Sequence, residues 1–201
     1  MPNAWINERK KEYFYRKAKK ENFRSRASYK LLQAVKKYNF MKSGWVVVDL
    51  GAAPGGWTQA AGRIVEDLGF VLAVDIKPIK SFDSPNIRTI IGDITDQTII
   101  NKINEFLPRA ADVVISDISP NVSGIWELDH ARQIDLATHS LQIAIATLRA
   151  KGNFFVKCFQ GNLMNTFVNE VKKNFSYVKL VKPQASRMKS AELYVIGMGL
   201  K

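Results

Sequence analysis

Short apolar runs rich in Val, Ile and Phe recur along the chain at 45–50, 70–76, 87–91, 112–117, 153–159, 176–181 and 192–197. Their hydrophobicity is near-continuous rather than alternating, the pattern of strands covered on both faces in a largely parallel sheet. Segments with helical spacing lie between them, at 28–38, 56–67, 97–106, 129–150 and 163–173. In the fourth, Ala131, Ile134, Thr138, Leu141, Ile145 and Leu148 recur at steps of three and four, which predicts an amphipathic helix. Strand and helix alternate, so the pattern predicts a doubly wound α/β fold with a seven-stranded sheet and helices on both faces. The linker 182–191 is too short to hold a helix and its two loops, so the last two strands are expected to pair as an antiparallel hairpin.

With 201 residues, 46% of them hydrophobic, the chain is long enough to bury the core of one domain, and no repeat or Pro/Gly/Ser linker divides it. Charge changes the picture at one end. Lys and Arg number 30 against 18 Asp and Glu, and residues 1–37 carry twelve of the bases but only three of the acids. A near-neutral body with one basic end suits a polyanion, because each neutralised phosphate releases condensed counterions; the plainer reading is a solvated helix face. The expected organisation is a basic N-terminal extension, residues 1–24, and a single domain, residues 25–201. Trp5, Tyr13, Phe14, Tyr15 and Phe23 interleave with the basic residues, which fits either RNA stacking or a helix face packed on the body. Cys158 has no cysteine to pair with, and neither His130 nor His139 has a neighbour at metal-ligand spacing, so no disulfide and no metal are expected. The N-terminus is too charged for a signal peptide and no apolar run approaches the ~18 residues a bilayer requires. A cytoplasmic protein without a membrane partner is the expectation.

The most informative stretch is Val46-Val47-Val48-Asp49-Leu50-Gly51-Ala52-Ala53-Pro54-Gly55-Gly56-Trp57, a strand entering a glycine-rich turn and then a helix. Gly51, Gly55 and Gly56 permit backbone conformations and close ligand approach that a Cβ forbids, and the helix N-terminus presents unpaired amides. Ala53 stands where a dinucleotide fingerprint starting at Gly51 needs its second glycine, which disfavours a nicotinamide-dependent oxidoreductase. Asp75 ends the second run, placed to accept ribose hydroxyls, and Asp93 follows the third, placed to accept from an adenine amino group; either could instead be a turn or cap residue. This pocket resembles that of class I S-adenosylmethionine-dependent methyltransferases.

Four polar residues occupy positions where a core prefers apolar ones: Asp117 at the end of the fourth run, Lys157 inside Phe154-Phe155-Val156-Lys157-Cys158-Phe159, Glu192 opening the last strand, and Lys30 on the first helix. The carboxyl ends of parallel strands face the ligand crevice of a doubly wound sheet, so Asp117 and Lys157 are expected to converge there. The glycine loop, Ser116-Asp117-Ile118-Ser119-Pro120-Asn121, Phe155-Val156-Lys157, Ser190-Ala191-Glu192-Leu193-Tyr194 and Lys30 in Arg26-Ala27-Ser28-Tyr29-Lys30-Leu31 resemble the RrmJ/FtsJ (RlmE) family of ribosomal RNA 2′-O-methyltransferases, from about Arg24 to the C-terminus. The resemblance implies a Rossmann-like class I methyltransferase fold and S-adenosylmethionine as cofactor. It also implies a Lys30–Asp117–Lys157–Glu192 tetrad and cofactor contacts at Gly55, Trp57, Asp75, Asp93 and Asp117.

A ribose 2′-hydroxyl is a poor nucleophile near neutral pH, so methylating it needs a base or a cation for the developing alkoxide. The expected roles are Lys157 as proton acceptor, Asp117 orienting its amine, Lys30 positioning the acceptor ribose or a phosphate, and Glu192 holding the lysines. The bland alternative is a buried structural ion-pair network. Arg24, Arg26 and Lys30 are the expected RNA contacts. The resemblance implies a uridine of 23S-type large-subunit ribosomal RNA; the expected partner is that RNA, free or in the assembled large subunit, and the expected state a monomer. A tRNA anticodon loop and a non-catalytic RNA-binding role are the alternatives. The segment 117–120 lacks the Asn/Asp-Pro-Pro-aromatic stretch of amine methylases, and Cys158, neighbouring Lys157 on a strand, is expected to face away from the crevice as a packing thiol.

Overall fold

A computed structural model of the chain describes residues 13–186 and 190–201; Trp5 and the rest of the first twelve residues of the expected basic extension lie outside the described residues. The strands are β1 (Val46–Leu50), β2 (Phe70–Asp75), β3 (Ile87–Ile91), β4 (Ala111–Ser116), β5 (Leu148–Phe159), β6 (Phe175–Val181) and β7 (Glu192–Leu200). They form one sheet in the order β3-β2-β1-β4-β5-β7-β6. β1 to β5 pair in parallel, whereas β7 lies antiparallel to both β5 and β6. The strand order reverses between β1 and β4, which opens the crevice where ligands of doubly wound sheets sit.

Helices α1 (Ser28–Tyr38) and α2 (Gly56–Val65) cover one face of the sheet, and α3 (Ile99–Phe106), α4 (Trp126–Thr147) and α5 (Met164–Asn174) cover the other. On the α1–α2 face, Phe155 packs its ring 5.1, 5.5 and 5.0 Å from those of Phe40, Trp57 and Tyr194. Burial of each such side chain contributes about 1.5–3 kcal/mol. Residues 13–20 form a further helical segment that belongs to this layer: Ala18 and Phe23 are buried in it and Phe14 packs against it, while Tyr13 and Tyr15 stay exposed. Phe14 and Phe23 therefore pack on the body, and Tyr13 and Tyr15 remain on the solvent side.

Two expectations need correction. β3 and β6 are the sheet's outer strands and are not covered on both faces; Ile91 and Tyr177 are exposed. α4 begins three residues earlier than its apolar pattern implied, because Asp129 accepts hydrogen bonds from the Ser123 and Gly124 amides and so fixes the loop that enters the helix. Its buried stripe is His130, Gln133, Ile134, Ala137, Ser140, Leu141, Ala144 and Thr147, whereas Ile145 is exposed. Two of its polar members bond within the helix: Ser140 and Thr147 donate to the carbonyls of Leu136 and Ile143 four residues back. Among the described residues, no helix is long and apolar enough to cross a membrane and no cluster of His, Cys, Asp or Glu is placed to hold a metal.

Candidate active site

β1 delivers the glycine loop to the crevice. Gly51 has φ +67° and Gly55 φ +101°, in the left-handed region that glycine occupies without strain. The missing side chains also make room for the chain itself: a Cβ at Gly51 would stand 2.6 Å from the Ile118 side chain, at Gly55 2.6 Å from the Phe82 ring, and at Gly56 2.1 Å from Ser25 Oγ. Close approach is thus required by the protein's own segments, a reason beyond ligand contact. Asp75 secures the loop, its two oxygens accepting the amides of Ala53 and Lys77, each at 2.8 Å, which leaves each oxygen a second lone pair. Asp93 Oδ1 accepts both the amide and the hydroxyl of Thr95 on an exposed turn. Beneath the loop, fully buried Asp49 accepts from the Thr58 hydroxyl; burial pushes its carboxyl up to about 7, with the negative charges of Asp117 and Asp75 acting the same way and the Thr58 bond opposing.

Arg24 and Trp57 take places different from those expected. The Arg24 guanidinium donates to the carbonyls of Pro54, Lys80 and Ser81 and stacks 3.6 Å over Phe82, so it clamps two loops beside the crevice instead of standing free as a phosphate ligand. The Trp57 ring is core, its indole N–H given to Ala27 O at 2.8 Å; what the residue can present to the crevice is its amide in the first turn of α2, where helical acceptors are missing. Arg26 is half-buried and also makes contacts within the chain.

The four polar residues singled out in the sequence come together. Lys30 Nζ lies 3.2 Å from Glu192 Oε2 and 3.7 Å from Asp117 Oδ2, and Lys157 Nζ lies 3.4 Å from Asp117 Oδ1. The sheet explains this: Asp117 follows the last residue of β4, Lys157 sits near the end of β5, and antiparallel β7 starts at the same edge, pairing Glu192 with Phe159 and Tyr194 with Lys157. Lys30 reaches them from the first turn of α1. Both ammoniums are buried, which is tolerable because two carboxylates balance them. Lys157 Nζ also donates to the Asp117 carbonyl at 2.6 Å and to Ser119 Oγ. Burial is the main influence on Lys157 and lowers its pKa; Lys30 acts in the same direction, while Asp117 and Glu192 oppose.

Two contributors escaped the sequence reading. Tyr194, fully buried, donates its hydroxyl to Asp117 Oδ1 at 2.6 Å, and burial followed by the charges of Asp117 and Glu192 keeps that proton on the ring oxygen. Gln133 Nε2 donates to the carbonyls of Ile118 and Lys157, tying the loop after β4 to the strand that carries Lys157. Cys158 packs on the opposite face of the sheet from Phe155, with burial pushing its thiol up to about 12. His130 is buried and accepts the Leu163 amide at Nε2, and burial lowers its pKa; His139 lies half-buried beside Asp135.

Residues 23–200 match the model of the FtsJ-like methyltransferase family. The chain is 51% identical over 195 residues to ribosomal RNA large subunit methyltransferase E of Methanocaldococcus jannaschii, covering 96% of this chain and 80% of that protein. It is 49% identical over 201 residues to the protein of the same name from Methanothermobacter thermautotrophicus, covering all of this chain and 95% of that one. Its fold is similar to a crystal structure described as a ribosomal RNA methyltransferase from Plasmodium falciparum, with TM-score 0.79 and 25% identity over 89% of this chain and 98% of that one. With residues 23–200 matching its model and curated relatives about half identical, the chain belongs to the FtsJ-like methyltransferase family.

Proposed function

We propose that the chain transfers a methyl group from S-adenosylmethionine to a ribose 2′-hydroxyl of RNA, specifically a uridine of 23S-type large-subunit ribosomal RNA. The observation that carries this reading is the run of contacts Glu192–Lys30–Asp117–Lys157 in the crevice. The names of the relatives support the substrate. The crevice also suits the cofactor by its chemistry: Asp75, Asp93 and Asp117 make it rich in acceptors, and the cofactor presents an ammonium, ribose hydroxyls and an adenine amino group. Gly51, Gly55, Gly56 and the Trp57 amide would hold its polar end at the start of α2. When bound, it supplies a methyl carbon on a sulfonium.

Within this reading the protein's task is to make the ribose oxygen nucleophilic. A neutral Lys157 amine keeps two N–H bonds and one lone pair. The Asp117 carbonyl and Ser119 Oγ engage two of the three positions on Nζ, which leaves the third for the hydroxyl proton. Asp117, itself fixed by Tyr194, then stabilises the ammonium that results. Lys30 faces the same carboxylates and positions the ribose. The methyltransferase domain in this reading is the expected 25–201 together with the segment from residue 13 that packs on it, Ala18 and Phe23 lying in its core; the protein works as a cytoplasmic monomer, without a metal, on RNA free or within the large subunit.

The test is incubation with radiolabelled S-adenosylmethionine and undermodified large-subunit RNA, followed by mapping of the label. Label on a ribose 2′-oxygen is expected, with Lys157→Met losing roughly 10²- to 10⁴-fold in turnover while cofactor and RNA binding persist. Label on a base, or undiminished turnover in Lys157→Met, overturns the reading.

A further inference from the structure

A second concave surface lies beside the tetrad. α1 runs from Lys30 at the site to Lys36 and Lys37 in its last turn, about 10 Å away at 1.5 Å per residue. β6 ends at the same sheet edge. Val181 pairs with Tyr194 and Tyr194 with Lys157, so one register row crosses three strands and places the end of β6 roughly 10 Å from Lys157. Between the end of α1 and the end of β6 is a groove of about 590 Å³. Lys36, Lys37, Lys179 and Lys182 line it, and among the described residues no acidic one does. Tyr38 stands among them, with the ammoniums of Lys37 and Lys179 at 5.5 and 5.8 Å from its ring centroid. The groove is shaped on purpose-built contacts: Gln33 Oε1 accepts the Ala185 amide, fixing the segment after β6 against α1, and Lys182 Nζ donates to Ser190 O on the way to Glu192.

Scattered solvated lysines are ordinary, but Lys36, Lys37 and Lys179 gather round one concavity with no ion pair to a described residue, so they repel each other and a polyanion relieves that repulsion. We propose that this groove binds phosphates of the RNA strand flanking the methylated nucleotide, holding that strand at a fixed offset of about 10 Å from the tetrad. The inference rests on the RNA-methyltransferase reading above and deepens it, since it assigns a substrate contact to a surface that sequence motifs did not mark.

The experiment compares wild-type protein with a Lys36→Ala/Lys37→Ala/Lys179→Ala variant, measuring the dissociation constant of a large-subunit RNA transcript carrying the target across a sodium chloride series. At about 0.7 log units per lost single-strand contact, the log–log salt slope is expected to fall by about 2, and affinity near 0.1 M salt by roughly 100-fold. Unchanged S-adenosylmethionine affinity shows that the variant is folded, and the corresponding triple Lys→Arg variant is expected to restore RNA binding. An unchanged slope in a variant that still binds cofactor overturns the groove assignment while leaving the methyltransferase reading intact. Wild-type protein that neither binds nor methylates the transcript overturns the function reading itself. A variant impaired only on assembled subunits, with wild-type affinity for naked transcript, overturns the assignment in favour of a protein contact.

Discussion

The two lysines of the tetrad should reveal themselves in the pH dependence of turnover. Burial and the Lys30 charge both lower the Lys157 pKa, while Asp117 and Glu192 raise it. In its proposed role as proton acceptor Lys157 must be neutral, so activity is expected to rise as pH climbs through its pKa. The ammoniums approach the two oxygens of Asp117, at 3.7 and 3.4 Å, so they stand at most about 9 Å apart; at an effective dielectric of about 20 their repulsion is ~2 kcal/mol or more. Lys30→Met removes it, and the acid limb of log kcat should move upward by about one to two pH units. Turnover near neutrality then falls about 10- to 100-fold and recovers with added base. Glu192→Gln removes an acid that favours the ammonium, so its limb should move the opposite way. The assay is methyl transfer at saturating RNA and cofactor from pH 6 to 10. If all three limbs coincide, Lys157 does not titrate in the rate-limiting step and its role as proton acceptor is refuted.

Asp49 predicts a pH-dependent stability. Its folded pKa of about 7 lies above the ordinary carboxyl value, so its contribution is full below pH ~4 and is lost as pH rises through 7, up to about 4 kcal/mol in total; Asp49→Asn should flatten the decline in urea midpoint between pH 5 and 8, and parallel declines would refute the assignment. Gly56→Ala drives a Cβ to 2.1 Å from Ser25 Oγ; it should lower Tm and cofactor affinity, with partial rescue by Ser25→Gly, and absence of rescue in calorimetry and titration would count against that clash. Arg24→Ala breaks three carbonyl contacts beside the crevice, so cofactor affinity should weaken while the RNA salt slope stays near wild type; a slope reduced by ~0.7 would return Arg24 to the RNA interface.

The sheet was legible because Val- and Ile-rich runs buried on both faces leave an unmistakable continuous signature, and only the exposed outer strands β3 and β6 broke it. Lys157 was legible for the converse reason: an ammonium inside Phe-Phe-Val-Lys-Cys-Phe contradicts its surroundings. Tyr194 was not, since tyrosine is at home in any strand and nothing local announces that its hydroxyl meets Asp117. Gln133 and the other polar members of the buried α4 stripe break the apolar periodicity, because their partners lie on other segments or one turn back. Arg24 carries the charge of an RNA ligand, and its clamp geometry depends on loops more than 30 residues away that no local pattern connects to it.

β7 enters the sheet last yet sits second from its margin, between β5 and β6. Because it travels backward, its opening residues, not its final ones, arrive where the chemistry is, and Glu192 and Tyr194 are among the last tetrad-region groups to be synthesised. A nascent chain halted before that strand would own a cofactor loop and both lysines but lack an anion for one of them and a clasp for Asp117. Topological completion and the gathering of the four groups therefore coincide.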